Sequence, residues 1–359
     1  MGNKEIKLLI FNPGSTSTKI AIYENETPVF VETMRHPAEE LKKFKDIMDQ
    51  YDFRRQIITE WTARKGYDLG QFDAIVCRGG NFKPIPSGTY YVDESMVADA
   101  ISGTHGMHAT NVGCRIAFEM SRAFKIPALT VDPPVCDEFC DEARYSGLPQ
   151  IQRQSSYHAL NQKAIARRLA RDLGKDIATM SAIVVHLGGG ISVGAHSLGR
   201  VIDVNNALNG DGPFSPERAG GLPIGALITL CYSGAYTEAE MQKLVSGKGG
   251  LVAYLGTTDG VELEGRIGQG DAEARKVVEA MAYQIAKEIG GAAAVLSGRV
   301  EAIALTGGLA NWTRLVNLIS QRVGFIAPIR LYPGENEIES LALGALRVLR
   351  GEEKAKSYA

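Results

Sequence analysis

Ala182-Ile183-Val184-Val185-His186-Leu187-Gly188-Gly189-Gly190-Ile191-Ser192-Val193-Gly194-Ala195-His196 reads as an apolar strand, a triglycine turn and a second strand. Arg200-Val201-Ile202-Asp203-Val204 reads as a third. The opening strand is a nearly unbroken apolar run, the pattern of a strand covered on both faces. Half a chain earlier the same order occurs. Lys7-Leu8-Leu9-Ile10-Phe11 is an apolar strand, Asn12 to Thr18 a Gly- and Ser-containing turn, and Lys19-Ile20-Ala21-Ile22-Tyr23 an alternating strand that marks a hairpin. Two such units at a half-chain interval are either tandem related domains or a coincidence of glycine-rich hairpins.

Around them, residues 74–77 and 128–131 read as short buried strands. Residues 158–173 carry a helical apolar face with Gly174 at the C-terminal cap position. Residues 272–296 are also helical in pattern, although Gly290-Gly291 weakens the middle. Ile338, Leu341, Ala342, Ala345, Leu346 and Leu349 follow the i, i+3, i+4 rule of a final helix. Strands alternating with helices make an α/β protein. With 359 residues, two domains of ordinary size fit.

A net charge of −2 lacks the basic excess that general nucleic-acid or anionic-membrane binders need. No apolar run reaches the ~20 residues of a membrane span, and no signal-type apolar segment opens the chain. Five scattered cysteines read as reduced thiols rather than a disulfide or zinc framework. A cytoplasmic protein is expected.

Three glycine turns follow apolar strands. Asn12-Pro13-Gly14-Ser15-Thr16-Ser17-Thr18-Lys19 can direct N–H groups and hydroxyls at phosphate, but it lacks the Gly-Lys-Ser/Thr ending of a P-loop. Gly188-Gly189-Gly190 fails the dinucleotide fingerprint, because Val193 occupies the third glycine position. Gly307-Gly308 follows Glu301-Ala302-Ile303-Ala304-Leu305-Thr306 and opens onto a helix. Together they have the form of a nucleotide site built from strand ends. Arg78 before Gly79-Gly80, Asp132 before Pro133-Pro134, His158 at a helix start and Arg218 in a glycine-containing loop stand where α/β active sites place charges. Solvated loop charges or structural ion pairs are the alternative reading of each.

These anchors, with Cys77-Arg78-Gly79-Gly80, His186 to Ser192, Thr306-Gly307-Gly308 and Gly334-Glu335-Asn336-Glu337, resemble the acetate and butyrate kinase family over nearly the whole chain. That family sits in the superfamily of actin, Hsp70 and sugar kinases. The resemblance implies two tandem domains of related ribonuclease H-like topology, with mixed five-stranded sheets, flanking helices and the nucleotide in the interdomain cleft. Residues 1–150 would form the acyl-substrate domain, completed by a C-terminal helix over 338–359. Residues 151–337 would bind nucleotide. It implies ATP/ADP and Mg²⁺ as cofactors, a short-chain carboxylate or acyl phosphate as substrate, and a homo-oligomer, at least a dimer.

By the same resemblance, Arg78 and Arg218 grip the carboxylate and the phosphoryl group, and His158 donates to the latter. Asn12 contacts the phosphoryl site, while Asp132 and Glu337 place Mg²⁺, with Glu335 two residues away as a competitor. Gly188, Gly189, Gly190, Gly307 and Gly308 border the nucleotide, and Asp259 meets the ribose. Gly80, His108 and Tyr157 belong to the acyl pocket. Gly80 replaces a bulkier Val of acetate kinases, and the missing side chain would admit extra methylenes at ~0.8 kcal/mol each, which favours butyrate or a branched acid over acetate; butyrate is the leading acceptor, with a branched-chain acid, acetate or propionate as the alternatives. Gln162 departs from a family histidine, and Val261 from a basic residue.

The chemistry fits those residues. A carboxylate with a pKa of ~4.3 is already ionised and needs no general base. Its obstacle is repulsion from ATP, which calls for Arg, His and a cation arranged for in-line transfer. A sugar or glycerol kinase would use Asp132 as base against a hydroxyl, leaving both arginines unexplained. An actin- or Hsp70-like switch would be indifferent to carboxylates.

Overall fold

In the computed structural model, which describes residues 5–208 and 210–358, the first hairpin forms as its alternation predicts. Strand β1 (Lys7–Pro13) pairs antiparallel with β2 (Ser17–Glu24), and β2 with β3 (Thr27–Arg35). On its other edge β1 pairs in parallel with β4 (Ala74–Cys77), and β4 with β6 (Ala128–Val131). A short antiparallel strand, β5 (Thr89–Tyr91), closes the sheet in the order β3-β2-β1-β4-β6-β5. This sheet has six strands where five were expected. Thr89–Tyr91 pairs with a strand far along the chain, so no local turn announces it.

The second sheet repeats the arrangement. Strand β7 (Ser181–Leu187) pairs antiparallel with β8 (Ile191–Ser197), and β8 with β9 (Arg200–Val204). It also runs parallel to β10 (Ile303–Gly307), which is followed by β11 (Ile329–Pro333), in the order β11-β10-β7-β8-β9. In each sheet, then, an antiparallel meander continues into parallel strands from its first member. The topology is duplicated, and of the two readings of the half-chain repeat this selects related domains.

Two compact units result: Met1–Cys136 with Asn336–Ala359, and Asp137–Glu335. Residues 137–150 pack with the second unit, whereas the sequence reading divided the chain at 150/151. Cys140 N–H donates to Ile202 O, and Glu138 accepts from Lys163 Nζ and from Val201 N–H, tying that stretch to β9.

In the second unit Ile183, Val185 and Leu187 face the core under the 24-residue helix Ala272–Val295, while Ala182 and Val184 face the core of helix Ala159–Asp172. Coverage on both faces is why β7 shows no alternation. Gly290 and Gly291 do not interrupt the long helix. In the first unit, helix Glu337–Leu349 buries Ile338, Leu341, Ala342, Ala345 and Leu346. It approaches β6 closely enough that a Cβ on Gly344 would overlap the Val131 side chain. No helix among the described residues is long and apolar enough to cross a membrane.

Candidate active site

Strands β1 and β4 and the start of the last helix bring three predicted residues together in the first unit. Asn12, near the end of β1, donates through Nδ2 to Glu337 Oε2 at 2.8 Å. Arg78, one residue past β4, lies with Nη2 3.5 Å from Glu337 Oε1. Its Nη1 is buried and has no hydrogen-bond partner among the described residues. An unpartnered buried guanidinium nitrogen loses hydration without compensation, so its position suits an incoming anion.

Behind the Asn12–Thr18 turn lies Arg54, fully buried on helix Tyr51–Arg64. It donates to Gly14 O (2.8 Å), Ser17 O (3.0 Å), Thr18 Oγ1 (2.9 Å) and Gln50 Oε1 (2.9 Å). Burial pulls its pKa down to about 10. Turn carbonyls are thereby held inward, with Ser15 and Thr16 left exposed. His108 caps helix Ala109–Phe124, its Nδ1 accepting from Thr110 N–H at 3.3 Å. Its edge is open to solvent, yet loss of water around the ring, then the positive charges of Arg78 and Arg54, lower its pKa.

Asp132 is fully buried with a left-handed backbone (φ 39°), a costly conformation for a residue other than glycine. Its Oδ1 accepts from Gly88 N–H at 2.8 Å, and its own N–H donates to Gly88 O at 3.0 Å. Gly80 is a different matter. A Cβ there would lie 2.7 Å from Asn111 Oδ1 and 2.9 Å from Asn111 Cα. Asn111 is itself fixed, accepting from Asn81 N–H and donating to Ala100 O and Gly106 O. The missing side chain at Gly80 therefore makes room for Asn111, and the extra-methylene argument is corrected: the space is filled by protein.

In the second unit the β7–β8 turn and the start of helix Ala159–Asp172 build another cluster. The His158 ring stacks on His186 at 3.7 Å and 10°. His158 Nδ1 is 3.0 Å from Ser192 Oγ. His186 Nδ1 is 2.8 Å from Asn161 Oδ1, and its Nε2 is 3.1 Å from Glu335 Oε1. A Cβ on Gly188 would come within 2.8 Å of His186 Nε2 and 3.0 Å of Glu335 Oε1. Arg218 donates through Nη1 to Ala207 O and crosses so near Gly190 that any Cβ there would overlap it. Burial lowers the Arg218 pKa against the opposing pull of Glu217. Tyr157 is buried beside His158 in the chain.

Beyond β10, Gly307 adopts φ 87°, and a Cβ would strike Leu187 O. Gly308 begins a short turn leading to helix Thr313–Val323. Asp259 is exposed and caps helix Gly260–Gly268, its Oδ1 accepting from Val261 N–H at 2.8 Å. Glu335 and Glu337 fall in different units with different partners. His186, Asn161, Ser192 and Arg54 were not singled out from sequence. A histidine inside an apolar strand next to a glycine turn is a usable signal for His186; nothing in one sequence separates inward-facing Arg54 from exposed Arg55.

The profile of the acetokinase family matches residues 148–328. Butyrate kinase 2 of Clostridium acetobutylicum is 50% identical over 99% of this chain and 99% of its own length. A probable butyrate kinase of Clostridium botulinum is 51% identical over 98% of this chain and 99% of its own. Among solved structures, Porphyromonas gingivalis acetate kinase superposes with a TM-score of 0.79 at 17% identity, covering 96% of this chain and 100% of that one. A Francisella tularensis propionate kinase gives 0.76 at 16% identity, covering 94% and 98%.

Proposed function

The chain belongs to the acetokinase family, and on that premise we propose that it transfers the γ-phosphoryl group of ATP to butyrate, reversibly, giving butyryl phosphate and ADP. The observation that carries this reading is the buried, unpartnered Nη1 of Arg78 beside Asn12 and Glu337. It is a cationic donor held ready for an anion. Half-identity over full length to butyrate kinases supports butyrate over acetate.

In this reading Arg78 holds the carboxylate, and His108 and Tyr157 are assigned to the acyl substrate. Arg218 and His158 neutralise and hydrogen-bond the phosphoryl group in its loose transition state. Asn12 orients Glu337 and is assigned a contact to phosphoryl. The glycine turns at Gly188, Gly189, Gly190, Gly307 and Gly308 let the nucleotide approach the backbone, with Asp259 toward its ribose. Mg²⁺ ordinarily takes one or two carboxylates and completes its shell with water and phosphate. The half-buried Glu337 fits that demand, with Asp132 acting through water. The cation would screen the charge between nucleotide and acceptor.

The reaction belongs in the cytoplasm, where ATP is made and used. The working form is a homo-oligomer. Helix Ile224–Cys231 (Ile-Gly-Ala-Leu-Ile-Thr-Leu-Cys) is apolar on every side yet buries no residue, and Ile224, Ile228 and Tyr232 are 74%, 53% and 89% exposed. An apolar surface of this kind is covered in a stable protein, and a second copy is the cover proposed. Ile224→Glu with Ile228→Glu should lower the mass seen by light scattering; unchanged mass would remove this helix from the interface.

The direct test of the activity is ADP formation from Mg-ATP with acetate, propionate, butyrate, isobutyrate or glycerol, trapping acyl phosphate with hydroxylamine. A butyrate maximum with trapped hydroxamate is expected. Hydrolysis indifferent to carboxylate, with no hydroxamate, would overturn the proposal.

A further inference from the structure

We infer that Gln162, through Ser192, fixes which nitrogen of His158 carries the proton, holding it as the Nε2–H tautomer so that it donates, rather than accepts, on the edge away from Ser192. The inference rests on the role given to His158 above and adds how that role is enforced.

Gln162 is fully buried on helix Ala159–Asp172, and its Nε2 lies 3.1 Å from Ser192 O and 2.8 Å from Ser192 Oγ. A backbone carbonyl only accepts, so the amide nitrogen must face it. That orientation gives its two protons to the carbonyl and the hydroxyl. The amide oxygen then turns to His196 Nε2 at 3.0 Å, which must donate. His196 Nδ1 is left as a bare lone pair, and it is the His196 ring atom without a partner among the described residues. Burial, aided by Lys163 and Arg167, holds His196 well below its usual pKa, in keeping with a neutral ring. Gly194 makes the path, since a Cβ there would overlap Gln162 Oε1.

Polarity then runs one way. Ser192 Oγ accepts from Gln162, and its own proton needs an acceptor. Ser192 is fully buried, and His158 Nδ1 at 3.0 Å is the acceptor its hydroxyl reaches among the described residues. A proton on His158 Nδ1 would leave the serine proton unpaired in the interior, which costs more than the hydrogen bond it replaces gives back. Nδ1 therefore accepts, and the ring proton resides on Nε2. With the ring plane set by stacking on His186, tautomer and orientation are both fixed. Gln162, a departure from the histidine of acetate kinases, is on this account a positioning residue behind His158 rather than a substrate contact.

The test is long-range ¹⁵N–¹H NMR of histidine-labelled protein at neutral pH, on the wild type, Gln162→Met and Ser192→Ala, with kcat, KM for butyrate and ADP affinity measured in parallel. Expected in the wild type is a single Nε2–H signal set for His158. In both variants the Nδ1–H form should appear, with kcat falling roughly 10²-fold, the scale of losing one transition-state donor, while ADP affinity is kept. A wild-type His158 protonated on Nδ1, or an unchanged tautomer in both variants, overturns the inference. Full turnover in His158→Ala would instead overturn the phosphoryl role of His158, and that result is independent of the tautomer assignment.

Discussion

Gly190 is small because of Arg218. Its backbone is unremarkable, but the guanidinium passes where a side chain would stand, and Ala207 O lies 2.8 Å from the same point. Gly190→Ala must push Arg218 off Ala207 O. Turnover should fall nearly as far as in Arg218→Ala, roughly 10²–10³-fold by comparison with other transition-state donors, with a lowered melting temperature as well, because the backbone at Ala207 O must also give way. Normal turnover in Gly190→Ala would show that the arginine works from elsewhere. Gly80 behaves differently, because its neighbour Asn111 is packed and fully bonded. Gly80→Val should cost about 1–3 kcal/mol of stability, as overpacking does, visible as a lowered denaturant midpoint. A stable variant with a preference shifted to acetate would restore the pocket reading. At this scale the sequence drew attention to glycine turns and the charges beside them, and the structure brings Asn12 and Arg78 to Glu337 in one unit, and His158 to Ser192 and His186 in the other. The sequence was silent where a role depends on facing: Arg54 and Gln162 act only because their side chains point inward, and Glu335 and Glu337 differ by which unit each joins.

Helix Ala272–Val295 shows how an element can form against its local propensities. Gly290 and Gly291 each cost backbone entropy, yet the helix runs through them because Val278, Met281, Ile285 and Ile289 anchor one face in the core. A Cβ at Gly291 would meet nothing within 4 Å, and the residue is exposed. Gly291→Ala should therefore stabilise the protein by about 0.5–1 kcal/mol, read from equilibrium urea unfolding. Destabilisation would mean that the exposed face is in use, for instance against another copy. Periodicity found this helix, the two hairpins and the last helix, since each carries its pattern locally. It could not find β5, whose three residues become a strand by pairing with β6 some forty residues away and bridging Lys356 near the other end of the chain. Nor could it set the true start of the second unit, because the ties of residues 137–140 to β9 are long-range hydrogen bonds.

The second unit is continuous in sequence, while the first is assembled from both ends of the chain. The C-terminal segment is no mere cover. Its helix supplies Glu337 to Asn12 and Arg78, and Tyr358 is buried, its hydroxyl bonded to Asp99 and to Lys83 N–H. Burial of Ile338, Leu341 and Leu346 at ~1.5–3 kcal/mol each amounts to roughly 4.5–9 kcal/mol, comparable to the whole stability of a typical domain. A chain ending at Glu335 should therefore lose the first unit and keep the second. In hydrogen exchange, amides of β1 and β4 should exchange at unfolded rates while those of β7 and β10 stay protected. Adding a peptide of residues 336–359 should restore protection in β1. Protection of β1 without that segment would show that the first 136 residues hold their own core, and that the helix is needed for Glu337 alone. The expected result has a consequence for how the protein matures. Folding of the first unit must wait for residues 336–358 to be made, so a product truncated before them lacks both its fold and the Arg78–Glu337 pair, whereas the second unit can form beforehand.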